Sequence, residues 1–120
     1  MTGFSVVTGQ DRTAITLQAD NLGSDLIIRI FNEKAHIGAV AVGEYDESHQ
    51  RASVSVHTRF GHKDDAIARQ AAYTIAKSLK IPVCVIAGVH IDEITSEEIK
   101  QVISNAEDAV TKFISSRQGK

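Results

Sequence analysis

Residues 63–89 read KDDAIARQAAYTIAKSLK and then IPVCVIAGV, and the hydrophobic period changes between the two parts. The first part, Lys63–Lys80, places apolar side chains four residues apart. They are Ile67, Ala71, Ile75 and Leu79, flanked by further alanines. This spacing predicts an amphipathic helix with a seam of small residues for close packing. The second part, Ile81–Val89, is almost continuously apolar, which is typical of a strand covered on both faces.

The residues before this helix show the two-residue alternation of β-strands. Five strands are predicted: Phe4–Val7, Thr13–Ala19, Asp25–Phe31, Ile37–Gly43 and Ala52–Thr58. Turn-forming residues separate them at Asp20–Ser24 and Asn32–Ala35, and the hydrophilic residues Glu44–Arg51 form a longer connection. In the last strand, Val54 and Val56 share the face that is expected to point inward.

A second helix is predicted to begin at Thr95-Ser96-Glu97-Glu98. A hydroxyl followed three residues later by a carboxylate is a capping box, in which each side chain satisfies a free backbone N–H at the helix start. The apolar residues that follow recur at helical spacing and are expected to be buried. They are Ile99, Val102, Ile103, Ala106, Val110, Phe113 and Ile114.

The order of elements predicts a mixed α/β (α+β) fold in one domain spanning residues 1–120. An antiparallel meander of strands is followed by a strand–helix–strand–helix sequence, with two helices packed on the sheet. Two helices cannot easily cover both faces of a sheet with five or six strands. Because the strand Asp25–Phe31 carries isoleucines on both faces, the second face is also expected to be apolar. A homodimer that stacks sheets or edges would cover it.

Composition argues against several classes of partner. The formal net charge is −2, so no basic surface indicates nucleic acid or an anionic membrane. The apolar runs are too short to span a bilayer, and the N-terminus has no signal-peptide pattern. Cys84 is the only cysteine, so neither an internal disulfide nor a cysteine-based metal cluster can form. We therefore expect a cytoplasmic protein in which Cys84 is an inert core residue.

Three short segments combine glycine and histidine at predicted strand ends: Ala35–Gly38, Phe60–Asp65 and Gly88–Asp92. If the strands Ala52–Thr58 and Ile81–Val89 are parallel, the helix between them brings their carboxyl ends to one edge of the sheet. The start of the antiparallel strand before them then lies at the same edge. The three segments are therefore predicted to line one pocket, in the usual position for a ligand in an open α/β sheet.

Eight residues of these segments are predicted to bind a cofactor: His36, Gly38, Gly61, His62, Lys63, Gly88, His90 and Asp92. Gly61 permits a tight turn, and the free N–H groups of the helix start that follows favour an anion such as a phosphate. Lys63 adds a positive charge, and His62 adds a donor that can be charged near neutral pH. Asp92 can accept a hydrogen bond from a ring N–H, a hydroxyl or His90.

Other interpretations of the same residues stay open. The glycines can be turn formers, with Asp64 and Asp65 in a solvated first turn that complements the helix dipole. Those two carboxylates also place negative charge where a phosphate would bind. The three histidines and Asp92 are acceptable zinc or iron ligands, although no HxxxH or HExxH spacing supports a metal site. Acid–base chemistry by His62 or His90 with Asp92 is a further alternative, although no GxSxG or cysteine nucleophile motif is present.

Three blocks of the sequence together resemble one protein family. The blocks are Ala35–Ala41, Gly61–Asp65 leading into Ala68-Arg69, and Val85–Asp92 leading into Ile94-Thr95 and Glu97-Glu98-Ile99. In this order and spacing they look like the LpdD-like family, small proteins associated with gallate-type decarboxylases. The resemblance implies a fold like that of the proteasome assembly chaperones, used as a dimer. It also implies binding of reduced prenylated FMN and its transfer to an apo decarboxylase of the UbiD type.

The expected function is therefore that of a cofactor chaperone and not of an enzyme. Such a homodimer would shelter a reduced, air-sensitive flavin as cargo and hand it to a decarboxylase. The main alternative is a protein assembly chaperone or accessory subunit, which would bind its partner through the sheet without a cofactor. The second alternative is a small histidine-dependent enzyme.

Overall fold

The computed structural model describes residues 3–60 and 64–118, which form a six-stranded sheet and two α-helices. The strands are β1 Phe4–Thr8, β2 Ile15–Leu22, β3 Asp25–Phe31, β4 Ala39–Asp46, β5 Arg51–Thr58 and β6 Val83–Gly88. The helices are α1 Asp65–Leu79 and α2 Ser96–Gln118, and a short 3₁₀ helix lies at Asp11–Thr13. The mixed α+β fold predicted from the sequence is confirmed.

The sheet has the strand order β1-β2-β3-β6-β4-β5. The first three strands form an antiparallel meander, and β4 and β5 form an antiparallel hairpin. β6 lies between these two parts, parallel to β3 and antiparallel to β4. β5 and β6 therefore run in the same direction, with β4 between them. As a result, the ends of β3, β5 and β6 and the start of β4 share one edge of the sheet, which we call the carboxyl edge.

Both helices pack against the same face of the sheet. α1 lies on β4, β5 and β6, and α2 lies on β1 and β2. The buried layer beneath them includes Leu17, Ile28, Ile30, Val85 and Ala87. Phe113 of α2 is fully buried, and its ring meets that of Phe4 edge-on with the centroids 5.4 Å apart. Within residues 3–60 and 64–118, neither helix is long and apolar enough to cross a membrane.

The start of α2 is fixed by the predicted capping box. Thr95 Oγ1 accepts a hydrogen bond from the backbone N–H of Glu98 at 3.1 Å, and Glu98 Oε1 accepts one from the Thr95 N–H at 3.0 Å. The predicted burial of Ile99 and Ile103 is wrong, because these side chains are 45% and 38% exposed. Both lie beside the stripe of α2 that covers the sheet and border a cavity near the carboxyl edge.

The turn between β2 and β3 is tighter than predicted. Asp20 pairs with Ile27 and Asn21 with Leu26, so the ladder continues where a turn is expected from composition. Only Gly23 and its neighbour Ser24 separate the two strands. Polar side chains in this part of β2 are exposed, and the ladder satisfies their backbone groups without burying them.

The second face of the sheet is left open by the described residues. Val42 is 51% exposed on this face, and Ile27, Val40 and Ile86 are partly exposed there. Cys84 also lies on this face and not in the core between sheet and helices, because strand residues alternate between faces. Partial burial raises the pKa of its thiol, which disfavours the reactive thiolate.

Candidate functional site

Two of the three predicted segments meet at the carboxyl edge. Phe31, the last residue of β3, pairs with Gly88, the last residue of β6. The segments that follow these residues therefore leave the sheet side by side. The imidazole rings of His36 and His90 meet edge-on, with centroids 6.5 Å apart and planes inclined at 76°. Two predicted site residues, distant in sequence, are thus neighbours in the structure.

The third predicted segment is described at Phe60, which is fully exposed, and from Asp64 onward. Gly61, His62 and Lys63 lie outside the described residues, so their contribution to the site, including a phosphate contact, stays a prediction. Asp64 follows them and directly precedes α1. Its side chain lies at the carboxyl edge, with Oδ2 3.5 Å from Nε2 of His36. This part of the third segment therefore does reach the corner formed by the other two.

Asp64 is buried, which contradicts the alternative of a solvated first turn at this position. It is only 5% exposed, and its Oδ1 accepts a hydrogen bond from the backbone N–H of Val89 at 3.0 Å. The free N–H groups at the start of α1 also favour a negative charge here. Sequence reasoning missed Asp64 as a site residue. The available signal was an aspartate at a predicted helix start, which is a common capping position. In the structure, however, the Asp64 side chain does not cap the helix and accepts a hydrogen bond from the Val89 N–H instead.

Gly38 and Gly88 permit close approach at this corner. A Cβ on Gly88 would overlap the carbonyl oxygen of His36 and lie 2.6 Å from its carbonyl carbon. A Cβ on Gly38 would overlap Oδ2 of Asp64 and lie 2.7 Å from its Cγ. The missing side chains therefore let the backbone of His36 lie against β6 and leave room for the Asp64 carboxylate. The role of both glycines as direct ligand contacts stays a prediction.

A buried amide holds the segment that carries His90. Asn32 is 8% exposed, its Nδ2 donates to the carbonyl oxygen of His90 at 2.8 Å, and its Oδ1 accepts from the N–H of His90 at 3.1 Å. This pair of bonds extends the pairing of β3 with β6 beyond the last residue of β6. The His90 side chain is exposed at the mouth of the site. Asn32 fixes its backbone and leaves the ring accessible.

Asp92 is engaged by charged neighbours. Its Oδ1 lies 2.8 Å from Nε2 of His90, and its Oδ2 accepts a hydrogen bond from Lys34 Nζ at 2.6 Å. The bond from Lys34, followed by that from His90, lowers the pKa of Asp92. Arg12 donates to the Asp92 carbonyl oxygen at 2.8 Å and pairs with Glu98 at 2.7 Å, lowering the pKa of Glu98 to about 2. These contacts hold the loop before α2 in place. No observation tests whether Asp92 also binds a ligand, so that role stays a prediction.

A cavity of about 360 Å³ opens beside His36, Asp64 and His90. Its wall is apolar and comes from α1, α2 and the loop between β6 and α2. The wall residues include Ile67, Val89, Ile91, Ile94, Ile99 and Ile103. Sequence reasoning missed this wall, because an apolar side chain at helical spacing is normally assigned to the core. The available signal was the cluster of isoleucines around the start of α2.

The cavity has one polar end, formed by His36, Asp64 and His90, and an apolar wall. A carboxylate accepts hydrogen bonds only, whereas an imidazole donates or accepts according to its tautomer. The volume lies near the lower end of the roughly 300–1,000 Å³ of small-molecule sites. In the part of the chain that the structure describes, no three His, Cys, Asp or Glu side chains cluster in a way that could hold a metal ion. The arrangement therefore suits a small molecule that has a polar edge and an apolar part.

Comparison with known proteins gives matches of two kinds. The fold is similar to that of a chain in the crystal structure of a chaperone complex for yeast 20S proteasome assembly, with a TM-score of 0.61 and 13% sequence identity. That similarity covers 99% of this chain and 98% of the other and shows a shared fold. No curated protein matches significantly. Residues 9–118 match the family described as the prenylated flavin chaperone LpdD-like domain, and because this match spans nearly the whole sequence, the chain belongs to that family.

Proposed function

We propose that this protein binds reduced prenylated FMN and delivers it to an apo decarboxylase of the UbiD type. Membership of a flavin chaperone family supports the general role. One observation supports a location for the cargo: the cavity beside His36, Asp64 and His90 joins a polar corner to an apolar wall. A prenylated flavin has both matching parts, since its pyrimidine ring carries N–H and carbonyl groups and its added isoprenoid unit is hydrocarbon.

The size of the cavity supports binding of the ring system and not of the whole nucleotide. A volume of about 360 Å³ is small for a nucleotide, so the ribityl phosphate would extend outside. The predicted phosphate contact, Gly61–Lys63, directly precedes Asp64 in the sequence, and Asp64 lines the cavity. A ring bound in the cavity is therefore compatible with a phosphate near the start of α1.

Sheltering and release require no covalent chemistry from the protein. An apolar wall keeps water from the reduced ring, and a carrier must give up its cargo, so we expect a dissociation constant on the order of micromolar, about −8 kcal/mol. We therefore propose a cytoplasmic chaperone that is not an enzyme. Turnover of a flavin or an aromatic acid by the isolated protein would instead favour the histidine-dependent enzyme.

His90→Ala is expected to weaken binding of reduced prenylated FMN about tenfold, because the cavity loses a polar partner worth about 1.4 kcal/mol. Lys63→Ala is expected to weaken binding similarly, through loss of a charge near the phosphate. Anaerobic titration followed by flavin absorbance measures both effects. Delivery is measured in the same series by adding an apo decarboxylase to the loaded protein and following the decarboxylase activity that appears.

His49→Ala is the matched control for this titration. His49 lies in the turn between β4 and β5, at the sheet edge opposite the cavity, and its Nδ1 is 2.7 Å from Oδ2 of Asp46. We expect this variant to bind as the parent does. Parent-like binding by both His90→Ala and Lys63→Ala would contradict the proposed site, and a parent that binds no reduced prenylated FMN would contradict the function itself.

We also propose that a second copy of this chain covers the open face of the sheet. The face carries the partly exposed Ile27, Val40 and Ile86 around Val42, and apolar surface of this kind is typical of interfaces. The yeast protein of similar fold comes from a chaperone complex, so the fold is compatible with assembly. In a symmetric dimer each substitution occurs twice, once on each copy. A charge introduced on this face would therefore be buried twice in the same interface, and dimer formation should be sensitive to it.

Val42→Lys is therefore expected to convert a dimer to a monomer, since it places two unpaired charges in an apolar interface. Light scattering coupled to size exclusion measures the molar mass. Ser104→Lys, on the exposed outer side of α2, is the control and should leave the mass unchanged. A monomeric parent, or a Val42→Lys variant that stays dimeric, would show that the open face is not the interface.

A further inference from the structure

We propose that Asp64 recognises the imide edge of the flavin, by accepting a hydrogen bond from the N–H group between its two ring carbonyls. This assignment rests on the proposed function above and adds to it the chemical group that the site reads. It follows from the juxtaposition of a buried carboxylate, two imidazoles and an apolar cavity at the carboxyl edge.

Asp64 has unused capacity to accept hydrogen bonds. Its side chain is 7% exposed, yet it lines the cavity. Oδ1 accepts from the N–H of Val89 at 3.0 Å, and Oδ2 lies 3.5 Å from Nε2 of His36. The second distance is well beyond the roughly 2.7–2.9 Å of a strong charge-assisted bond, and an ionised carboxylate offers about four acceptor positions. A donor that enters the cavity would therefore satisfy a buried carboxylate at little cost.

A second residue at the cavity, His90, matches another part of an imide edge. That edge presents a carbonyl oxygen, an N–H and a second carbonyl oxygen in sequence. The ring of His90, whose side chain is exposed at the mouth of the cavity, can donate to one carbonyl oxygen, while the Asp64 carboxylate accepts from the N–H. A ligand that lacks this N–H would leave Oδ2 of Asp64 without that hydrogen bond beside an apolar wall, and a site built around a buried polar group discriminates against such ligands.

The carboxylate is also held in place before any ligand arrives. The bond from Val89 N–H fixes one oxygen, and the space left by Gly38 accommodates the other. A group fixed in this way loses little conformational freedom on binding. Asp64 therefore has the properties of a specificity-determining residue and not only of a helix-start residue.

The test compares reduced prenylated FMN with its N3-methyl derivative, made by prenylating 3-methyl-FMN, in anaerobic titrations. For the parent we expect methylation to weaken binding about 10- to 100-fold, the range for a hydrogen bond to a buried charge. In Asp64→Asn, the Val89 N–H retains the amide oxygen, so the NH₂ group takes the place of Oδ2. A donor then faces a donor, and the methylation effect should fall to within about twofold.

Asp65→Asn, a neighbouring and partly buried carboxylate, is the matched control and should keep the full methylation effect. Thermal unfolding of each variant verifies that it is folded. Equal binding of the two flavins by the parent, or an undiminished methylation effect in Asp64→Asn, would overturn this assignment and leave the proposed function standing. A parent that binds neither flavin would overturn the proposed function and the assignment with it.

Discussion

Gly88→Ala should lower the free energy of unfolding by about 3 kcal/mol or more, a large part of the stability of a small domain. The added Cβ would overlap the carbonyl oxygen of His36 and lie 2.6 Å from the carbonyl carbon. Both atoms belong to the backbone, so no side-chain rotation can relieve the overlap. Either the end of β6 or the segment that carries His36 must move. Because that segment also positions the imidazole, flavin binding should be lost together with stability.

Urea unfolding followed by circular dichroism measures this loss, and the melting temperature should fall by roughly 10 °C. Gly23→Ala is the control, since a Cβ in that turn meets nothing within 4 Å and only the positive φ of 61° opposes it. That substitution should cost about 1 kcal/mol. A Gly88→Ala variant as stable as Gly23→Ala would show that His36 is not seated against β6.

Gly38→Ala should reduce affinity for reduced prenylated FMN about 10- to 100-fold while costing less stability than Gly88→Ala. Here the added Cβ would overlap Oδ2 of Asp64, which belongs to a side chain that can rotate away. Rotation removes the acceptor of the Val89 N–H and takes the carboxylate out of the cavity. The expected result is a folded protein with a disabled site.

A double-mutant cycle with Asp64→Ala tests this coupling. Once the carboxylate is absent, Gly38→Ala should have a smaller effect on affinity and on the free energy of unfolding, because the overlap has gone and only a 3.1 Å approach to the Ala87 carbonyl oxygen remains. The coupling free energy should be about 1–3 kcal/mol, as for residues in contact. Additive effects of the two substitutions would mean that Gly38 does not act through Asp64.

The elements of the fold could be predicted because their signals are local. The four-residue period of Ile67 to Leu79 gave the first helix, and Thr95 with Glu98 gave the start of the second. The insertion of β6 between β3 and β4 could not be predicted in the same way. An apolar strand is compatible with any central position, and its partners are chosen by packing between distant parts of the chain.

The site was predictable only in part. Glycine and histidine at strand ends pointed to the corner where His36 and His90 meet, because chain direction alone brings strand ends to one edge. The burial of Asp64 could not be predicted, since it depends on space left by Gly38 and on the N–H of Val89. The cavity wall could not be predicted for a related reason. A hydrophobic period identifies the apolar stripe of a helix, but it does not show whether that stripe is covered by the sheet or lines a cavity.

The amide of Asn32 has a consequence for how this protein can diverge. Its two bonds to the backbone of His90 replace a rung that main-chain peptide groups supply elsewhere in the sheet. A hydrogen bond between main-chain groups is kept after most substitutions, whereas these two bonds depend on the side chain of Asn32. Substitution at this one position can therefore weaken or restore the attachment of the loop without changing a strand, so the position of His90 can be adjusted separately from the sheet.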